Sequence, residues 1–265
     1  MKPVKPVTVP EIVGRKGGVP IVMVTAADFT MAHLIDSTGS VDCLLVGDSL
    51  GTVVQGRATT LPVTLDQMIY HTEMVARAAK RAMVIADMPF GSYQESIEQA
   101  VRNASRMMKE TGCTAVKLEG GRRFAPTIRA LVECGIPVMG HVGLMPQQVH
   151  GMGGYKVQRN HERVLDDAQA VTEAGAFSVV LECLPVELAK TVTQSIAIPT
   201  IGIGAGVHCD GQVLVGHDLL GLFDGHKPKF VRAYANLKQD VRQAVSHFAE
   251  DVQSRSYPTG EESFH

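Results

Sequence analysis

The sequence predicts an α/β chain, a single (β/α)8 barrel of the TIM type with a short N-terminal and a long C-terminal helix. Three observations predict it. Short runs rich in branched apolar residues, such as Leu44-Leu45-Val46 and Ser178-Val179-Val180-Leu181, read as strands buried on both faces, as in parallel sheets. Each run precedes a segment of helical periodicity, and the alternation recurs about eight times within 265 residues, a length at which such barrels form one unit. Several runs end on an acid: Asp48, Asp87, Glu119 and Glu182. Right-handed crossovers close such a sheet into a barrel, and an open doubly wound sheet is the alternative with the same alternation.

Composition narrows the function classes. The chain is 45% hydrophobic but only 5% aromatic, with no Trp, so its core is aliphatic. A net charge of −2 leaves no electrostatic footprint for nucleic acid. No stretch reaches the roughly 18 apolar residues of a membrane span, and no signal-peptide core follows Met1, so no membrane partner is expected. The five cysteines are odd in number and lack any C-x-x-C pair, which points to a reducing, cytoplasmic setting; Cys43 and Cys113 read as core.

Residues 1 to 7 are expected as a mobile lead-in. Thr8-Val9-Pro10-Glu11 has capping-box spacing, so a short helix runs to about Arg15, before Gly17-Gly18. Pro20 to Thr25 is the first strand and leads to Asp28; Phe29 to Thr38 is a helix closed by Gly39. After the strand that carries Asp48, residues 51 to 63 are expected as a long glycine-punctuated loop. Thr64 caps a helix to about Arg81, and the strand Met83 to Asp87 stops before Pro89. Ile97, Ala100, Val101, Ala104 and Met108 recur at helical spacing up to Gly112, with Met107 and Met108 as core and surface of that helix. Next come a strand to Glu119, a helix over Arg122 to Cys134, a strand over Pro137 to Leu144 and a second flexible loop over 145 to 160. A helix over His161 to Ala174, a strand from Phe177 to Leu181 and a helix over Pro185 to Ile196 follow. Pro199 opens a strand into Gly202-x-Gly204-x-Gly206, and Val213 to Asp218 makes a short eighth strand. Val231, Tyr234, Val241, Val245, Phe248 and Val252 fit one closing helix from about Pro228 to Val252. No repeat or linker divides the chain, so residues 1–265 are expected as one domain.

The C-terminal ends of barrel strands converge on one mouth, which would gather Asp48, Asp87, Glu119, His141 and Glu182. Lys117 shares the face of Glu119, because strand side chains alternate. Three carboxylates at one mouth do not all stay ionised without a cation, and hard oxygen donors without a His/Cys cluster favour Mg²⁺ over Zn²⁺. Plain structural readings stand beside these. One strand-end Asp commonly caps a helix or anchors a loop, but four acids ending four buried strands reverse that preference. His141 reads as a substrate contact or as a hydrogen-bonded structural residue, and Lys117 as a paired buried charge or as the cation for an anionic substrate. The run of glycines from Gly202 comes late and lacks the helix and acid of a dinucleotide fingerprint, so it reads as a tight strand exit or phosphate loop. His208, His217 and His226 lack ligand spacing and read as structural.

Taken together, these stretches resemble the ketopantoate hydroxymethyltransferase family over nearly the whole chain. The likeness runs through Val46-Gly47-Asp48-Ser49-Leu50-Gly51, Ala86-Asp87-Met88-Pro89-Phe90, Val116-Lys117-Leu118-Glu119-Gly120-Gly121 and Gly140-His141-Val142-Gly143-Leu144. It continues through Gly153-Gly154-Tyr155-Lys156-Val157-Gln158, Leu181-Glu182-Cys183 and Ile201-Gly202-Ile203-Gly204-Ala205-Gly206. The resemblance implies a barrel of the phosphoenolpyruvate/pyruvate type that binds Mg²⁺. It also implies that the methylene carbon of 5,10-methylenetetrahydrofolate passes to 3-methyl-2-oxobutanoate, giving 2-dehydropantoate and tetrahydrofolate in pantothenate synthesis. By position, it implies Asp48, Asp87 and Glu119 as metal-associated acids, Ser49 and Lys117 as substrate contacts beside Asp48 and Asp87, and Glu182 as proton acceptor. A homo-oligomer, typically a decamer, is implied too. The chain departs from the family at Ala27, where Tyr is usual, and at Met145, where Thr is usual. A Mg²⁺-dependent carbon–carbon lyase or mutase acting on another 2-oxo acid is the competing reading of the same scaffold.

Overall fold

Eight strands pair in chain order, each parallel to the next, and β8 returns to β1 to close the barrel. They are β1 Ile21–Thr25, β2 Cys43–Val46, β3 Met83–Asp87, β4 Ala115–Lys117, β5 Val138–Gly143, β6 Ser178–Glu182, β7 Thr200–Ile203 and β8 Gly211–Leu214. This computed structural model describes residues 5–225 and 227–264. The chain forms two compact units, Met1–Val215 and Gly216–His265, and the barrel is the first. Closure excludes the open doubly wound sheet. No helix among the described residues is long and apolar enough to cross a membrane.

Alternation along the strands sorts the barrel into layers. Ile21 and Met23, Cys43 and Leu45, Met83 and Ile85, with Ala115, Met139, Val180, Ile201 and Val213, form one buried cluster. Ile12 of α1 Val9–Val13 joins the same cluster. Burying such aliphatic side chains contributes about 1.5–3 kcal/mol each before chain entropy opposes it. Cys43 and Cys113 are buried, as expected of core thiols.

The helices carry the caps that the sequence announces. Thr8 and Glu11 form the capping box of α1. Asp28 caps α2 Phe29–Ser37 through the Met31 N–H, which is the plain reading of a strand-end Asp. Thr64 and Gln67 box α4 Leu65–Ala78, and Gly112 closes α5 Ile97–Thr111 with a left-handed φ of 76°. Met107 is buried in α5 and Met108 half-buried. A 3-10 turn at Arg122–Phe124 leads into α6 Ala125–Glu133, and α7 His161–Glu173 and α8 Val186–Ser195 complete the crossovers. The glycine run is a strand exit: Gly204 and Gly206 have positive φ, and no helix follows directly.

Several expectations are corrected. Of the expected mobile lead-in, residues 1–4 lie outside the described residues, while Val7 is held by its N–H on Arg81 O at 2.8 Å and packs against the core. The loop over 51 to 63 begins inside a one-turn helix, α3 Leu50–Val53, too short to show periodicity. α4 stops at Ala78, three residues early, because the buried Asp36 carboxylate takes the N–H groups of Lys80, Arg81 and Ala82 and pulls them out of helical pairing. The loop over 145 to 160 contains a 3-10 turn at Pro146–Gln148, and Gln147 in it is buried. β8 starts two residues before Val213 and ends at Leu214, since Gly211 lies against β1 where a Cβ would meet Ile21 O at 2.5 Å.

In the second unit His217 and Asp218 belong to α9 Gly216–Leu219, not to a strand. The closing helix, α10 Leu237–Ser254, begins nine residues after Pro228. The Tyr234 and Leu237 N–H groups donate to Leu219 and Leu220 O, which ties this segment to α9 and delays the coil, so Val231 and Tyr234 precede the helix. No residue of α10 is buried. His208 is exposed, and His226 lies outside the described residues.

Candidate active site

The parity that fills the barrel with aliphatic side chains also builds its mouth. Met83 and Ile85 are followed two residues on by Asp87, Ala115 by Lys117, Met139 by His141 and Val180 by Glu182. Parallel pairing sets Asp87 opposite Lys117, and their side chains form a buried ion pair at 2.5 Å. Lys117 Nζ also lies 3.3 Å from His141 Nδ1. His141 Nε2 lies 2.9 Å from Leu144 O, a carbonyl that only accepts, so Nε2 carries the proton and Nδ1 is left to accept from the ammonium. The same Nε2 is 3.2 Å from Glu182 Oε2. Both ring nitrogens therefore meet protein groups, and a chain of contacts runs from Glu182 through His141 and Lys117 to Asp87.

Asp48 follows β2 by two residues. Its N–H donates to Asp87 Oδ2 at 3.0 Å, which sets the second acid beside the first. Gly47 permits this approach: a Cβ there would sit 2.9 Å from Ser49 Oγ and 3.5 Å from Asp87 Oδ2. Ser49 is half-buried at the start of α3 and uses no side-chain oxygen to cap it. Glu119 lies just beyond β4, buried, with Oε1 3.9 Å from His141 Nδ1 and Oε2 accepting from the Gln147 N–H at 3.0 Å. All seven residues singled out in the sequence, Asp48, Ser49, Asp87, Lys117, Glu119, His141 and Glu182, thus lie at the C-terminal ends of β2 to β6.

Two residues at the mouth were not foreseen. Gln147 is 4% exposed, and its Nε2 donates to Asp48 Oδ2 at 2.9 Å and to Met88 O at 3.0 Å. Its Oε1 accepts from the Tyr93 hydroxyl at 2.8 Å and from Gln94 Nε2 at 3.2 Å. Tyr93 is buried, also reaches Glu119 O at 3.0 Å and accepts from the Glu119 N–H at 3.2 Å. Ala27 and Met145, the two departures from the family pattern, are both buried, Ala27 O meeting His71 Nδ1 at 2.6 Å and Met145 Sδ meeting Gln148 Nε2 at 3.3 Å.

The electrostatics ask for more positive charge than the side chains supply. Burial, then the neighbouring Asp87, pushes the Asp48 carboxyl up to about 7. Burial, then Asp48, raises Glu119 well above the ordinary carboxyl range. Burial alone would lower Lys117, but Asp87, Glu119 and Asp48 together outweigh it and hold the ammonium above its usual value. Among the described residues, Asp87 Oδ1 is buried without a well-formed hydrogen bond and is answered by that ammonium. Asp48, Asp87 and Glu119 set three acids against the single ammonium of Lys117, more than it alone can keep ionised together. Among the described residues no three His, Cys, Asp or Glu side chains form a ready-made metal cluster. A magnesium ion does not need one: it is held by one or two carboxylates and completes its shell with water and substrate oxygens. The donor set therefore fits Mg²⁺.

Comparison with known proteins shows the family of the chain. A protein of Cereibacter sphaeroides (strain ATCC 17025 / ATH 2.4.3) named 3-methyl-2-oxobutanoate hydroxymethyltransferase is 56% identical over 99% of this chain and 95% of its own length. One of the same name from Desulforapulum autotrophicum is 53% identical over 94% of this chain and 95% of its own. The barrel is similar to that of 2,3-dimethylmalate lyase, a PEP mutase/isocitrate lyase superfamily member, with a TM-score of 0.61 at 18% identity over 97% of this chain and 91% of that one. Phosphonopyruvate hydrolase has the same fold, with a TM-score of 0.64 at 11% identity over 96% of this chain and 92% of its own. The family profile described as ketopantoate hydroxymethyltransferase matches residues 6–260, from before α1 to beyond α10, and with relatives more than half identical along that length the chain belongs to the ketopantoate hydroxymethyltransferase family.

Proposed function

We propose that this chain transfers a one-carbon unit from 5,10-methylenetetrahydrofolate to 3-methyl-2-oxobutanoate in a Mg²⁺-dependent reaction, giving 2-dehydropantoate and tetrahydrofolate on the way to pantothenate. One observation carries the reading. Glu182, with 16% of its side chain exposed, is the acid of the mouth that opens to a ligand, and it stands next to a buried cluster of carboxylates and an ammonium. A base must reach carbon while the charges that organise the substrate stay dry.

Asp48, Asp87 and Glu119 would hold the ion, one or two of them directly and the rest through its bound water, with Asp48 and Asp87 beside the substrate as well. Bound there, Mg²⁺ supplies Lewis acidity toward the carboxylate and ketone oxygens of a 2-oxo acid. Ser49 would orient the substrate carboxylate by its hydroxyl. Glu182 would take the proton from carbon 3, its position fixed by His141 Nε2 at 3.2 Å. As the electron pair of that C–H bond moves toward the ketone oxygen, the Lys117 ammonium offsets the charge that develops. One C–N bond of the folate methylene opens to an iminium, carbon 3 bonds to the methylene carbon, and water then displaces the second nitrogen and supplies the product hydroxyl. The two folate nitrogens take up the proton removed from carbon 3 and one from water, so that tetrahydrofolate leaves. The proposed compartment is the cytoplasm, in keeping with five free cysteines, and the proposed assembly is a homo-oligomer, a decamer by family resemblance.

The test is proton exchange. The protein is incubated with 3-methyl-2-oxobutanoate in deuterated water, with and without Mg²⁺, and the carbon 3 proton is followed by NMR before and after methylenetetrahydrofolate is added. Metal-dependent loss of the signal, followed by 2-dehydropantoate once folate is present, is the expected result. No exchange and no product with both additions would overturn the proposal, and turnover without any folate requirement would favour a lyase of another 2-oxo acid.

A further inference from the structure

Gln147 makes every hydrogen bond its amide can make. Its two Nε2 protons go to Asp48 Oδ2 and Met88 O, and its Oε1 accepts from Tyr93 and Gln94. Its backbone N–H takes Glu119 Oε2. One buried residue thus joins the ends of β2, β3 and β4 to the 3-10 turn after β5. The amide orientation is dictated by its surroundings, since a carboxylate and a carbonyl both need a donor and the Tyr93 hydroxyl finds its acceptor on the other side. A glutamate at 147 would turn an acceptor toward Asp48 and Met88 O, and an asparagine is one methylene too short to span them.

We propose that Gln147 is a positioning residue: by bonding one oxygen of Asp48 and one of Glu119 it clamps the two carboxylates at a fixed spacing, so that Mg²⁺ meets preset donors. Tyr93 supports the clamp by holding the Gln147 carbonyl and the Glu119 backbone at once. The inference rests on the metal-dependent reading above and adds to it a residue that touches neither substrate nor ion. Loss of such an outer partner typically weakens metal binding by about 10- to 100-fold.

The experiment titrates Mg²⁺ alone into the metal-free protein by calorimetry, for wild type, Gln147→Leu, Tyr93→Phe and the double variant, with thermal unfolding of each. Gln147→Leu keeps the bulk and removes the bonds, so its Mg²⁺ affinity is expected to fall by about 10- to 100-fold. Carbon 3 exchange in this variant is expected to recover as Mg²⁺ is raised, which a purely structural role would not produce. Tyr93→Phe keeps the ring packed edge-on against Phe124 and is expected to weaken the metal less. The double variant should bind about as weakly as Gln147→Leu alone, because both act through one clamp. A folded Gln147→Leu that binds Mg²⁺ like wild type overturns the inference. Should that variant not fold, an unchanged affinity in Tyr93→Phe overturns it instead. A wild type that binds no Mg²⁺ overturns the metal reading and this inference with it, so the two failures are told apart.

Discussion

Glu182 and Asp48 are both strand-end carboxylates, yet their surroundings separate their work. Glu182 is the more open and shares a histidine N–H, whereas Asp48 is buried, held by Gln147 and pushed up to about 7 by burial and Asp87. Glu182→Gln should therefore retain binding of 3-methyl-2-oxobutanoate while carbon 3 exchange falls by about 10²- to 10⁴-fold, and exchange at the wild-type rate would remove Glu182 from the mechanism. Asp48→Asn should weaken Mg²⁺ binding, since it removes a charged donor but keeps an oxygen for Gln147; an unchanged metal titration would count against Asp48 as a ligand. At this scale Asp87, Glu119, Glu182, Lys117 and His141 were legible because period-two alternation carries the parity of the core straight into the mouth. Asp48, in phase with Val46 and not with the core residue Leu45, was legible from its place just past an apolar run. Gln147 and Tyr93 were not. Each is a lone polar residue in a loop, and its partners on β2, β3 and β4 are far away along the chain.

The pair β5 and β6 shows how closely one element constrains another. Gly143 has a φ of 97°, and a Cβ there would lie 2.4 Å from Glu182 O. Gly143→Ala combines a disfavoured backbone with a collision against the strand that carries the proposed base. It should cost about 1–3 kcal/mol for the backbone alone, more with the clash, and should slow exchange by displacing Glu182. Wild-type stability and exchange in this variant would show that the β5–β6 ladder yields more than its geometry suggests. The caps at Thr8, Thr64 and Gly112 were legible because capping is a local bargain between neighbouring residues. The end of α4 was not, since it is decided by Asp36, more than 40 residues earlier in the chain. α3 and the start of α10 escaped for similar reasons: one turn has no period, and the segment before Leu237 is held by α9.

For the barrel as a whole, closure depends on the seam between β8 and β1, and Asp210 binds that seam. Its carboxylate accepts from Gly17 N at 2.8 Å, Lys16 Nζ at 3.0 Å and Thr200 N at 2.8 Å, while its own O accepts from Ile21 N. Burial alone would raise this group, but the N–H donors and the Lys16 ammonium prevail and hold it below its ordinary value. A depressed carboxyl stabilises the fold above its unfolded value of about 3.9 and loses that contribution as pH falls through the folded value. Asp210→Asn should thus cost about 2 kcal/mol at pH 7, read by urea unfolding, and the gap to wild type should narrow as pH falls below the unfolded value of about 3.9. A gap that persists unchanged at acid pH would show that lost packing, and not charge, is responsible. By itself the sequence determined the eightfold alternation, the aliphatic interior, the cap positions and the acids of the mouth, because helical and strand periods and capping act over a few neighbouring residues. Tertiary structure alone decided where Gln147 reaches, which nitrogen of His141 keeps its proton, how Asp36 ends a helix and how Asp210 closes the barrel. Those outcomes depend on the distances between segments remote in the chain, which exist only once the sheet has closed.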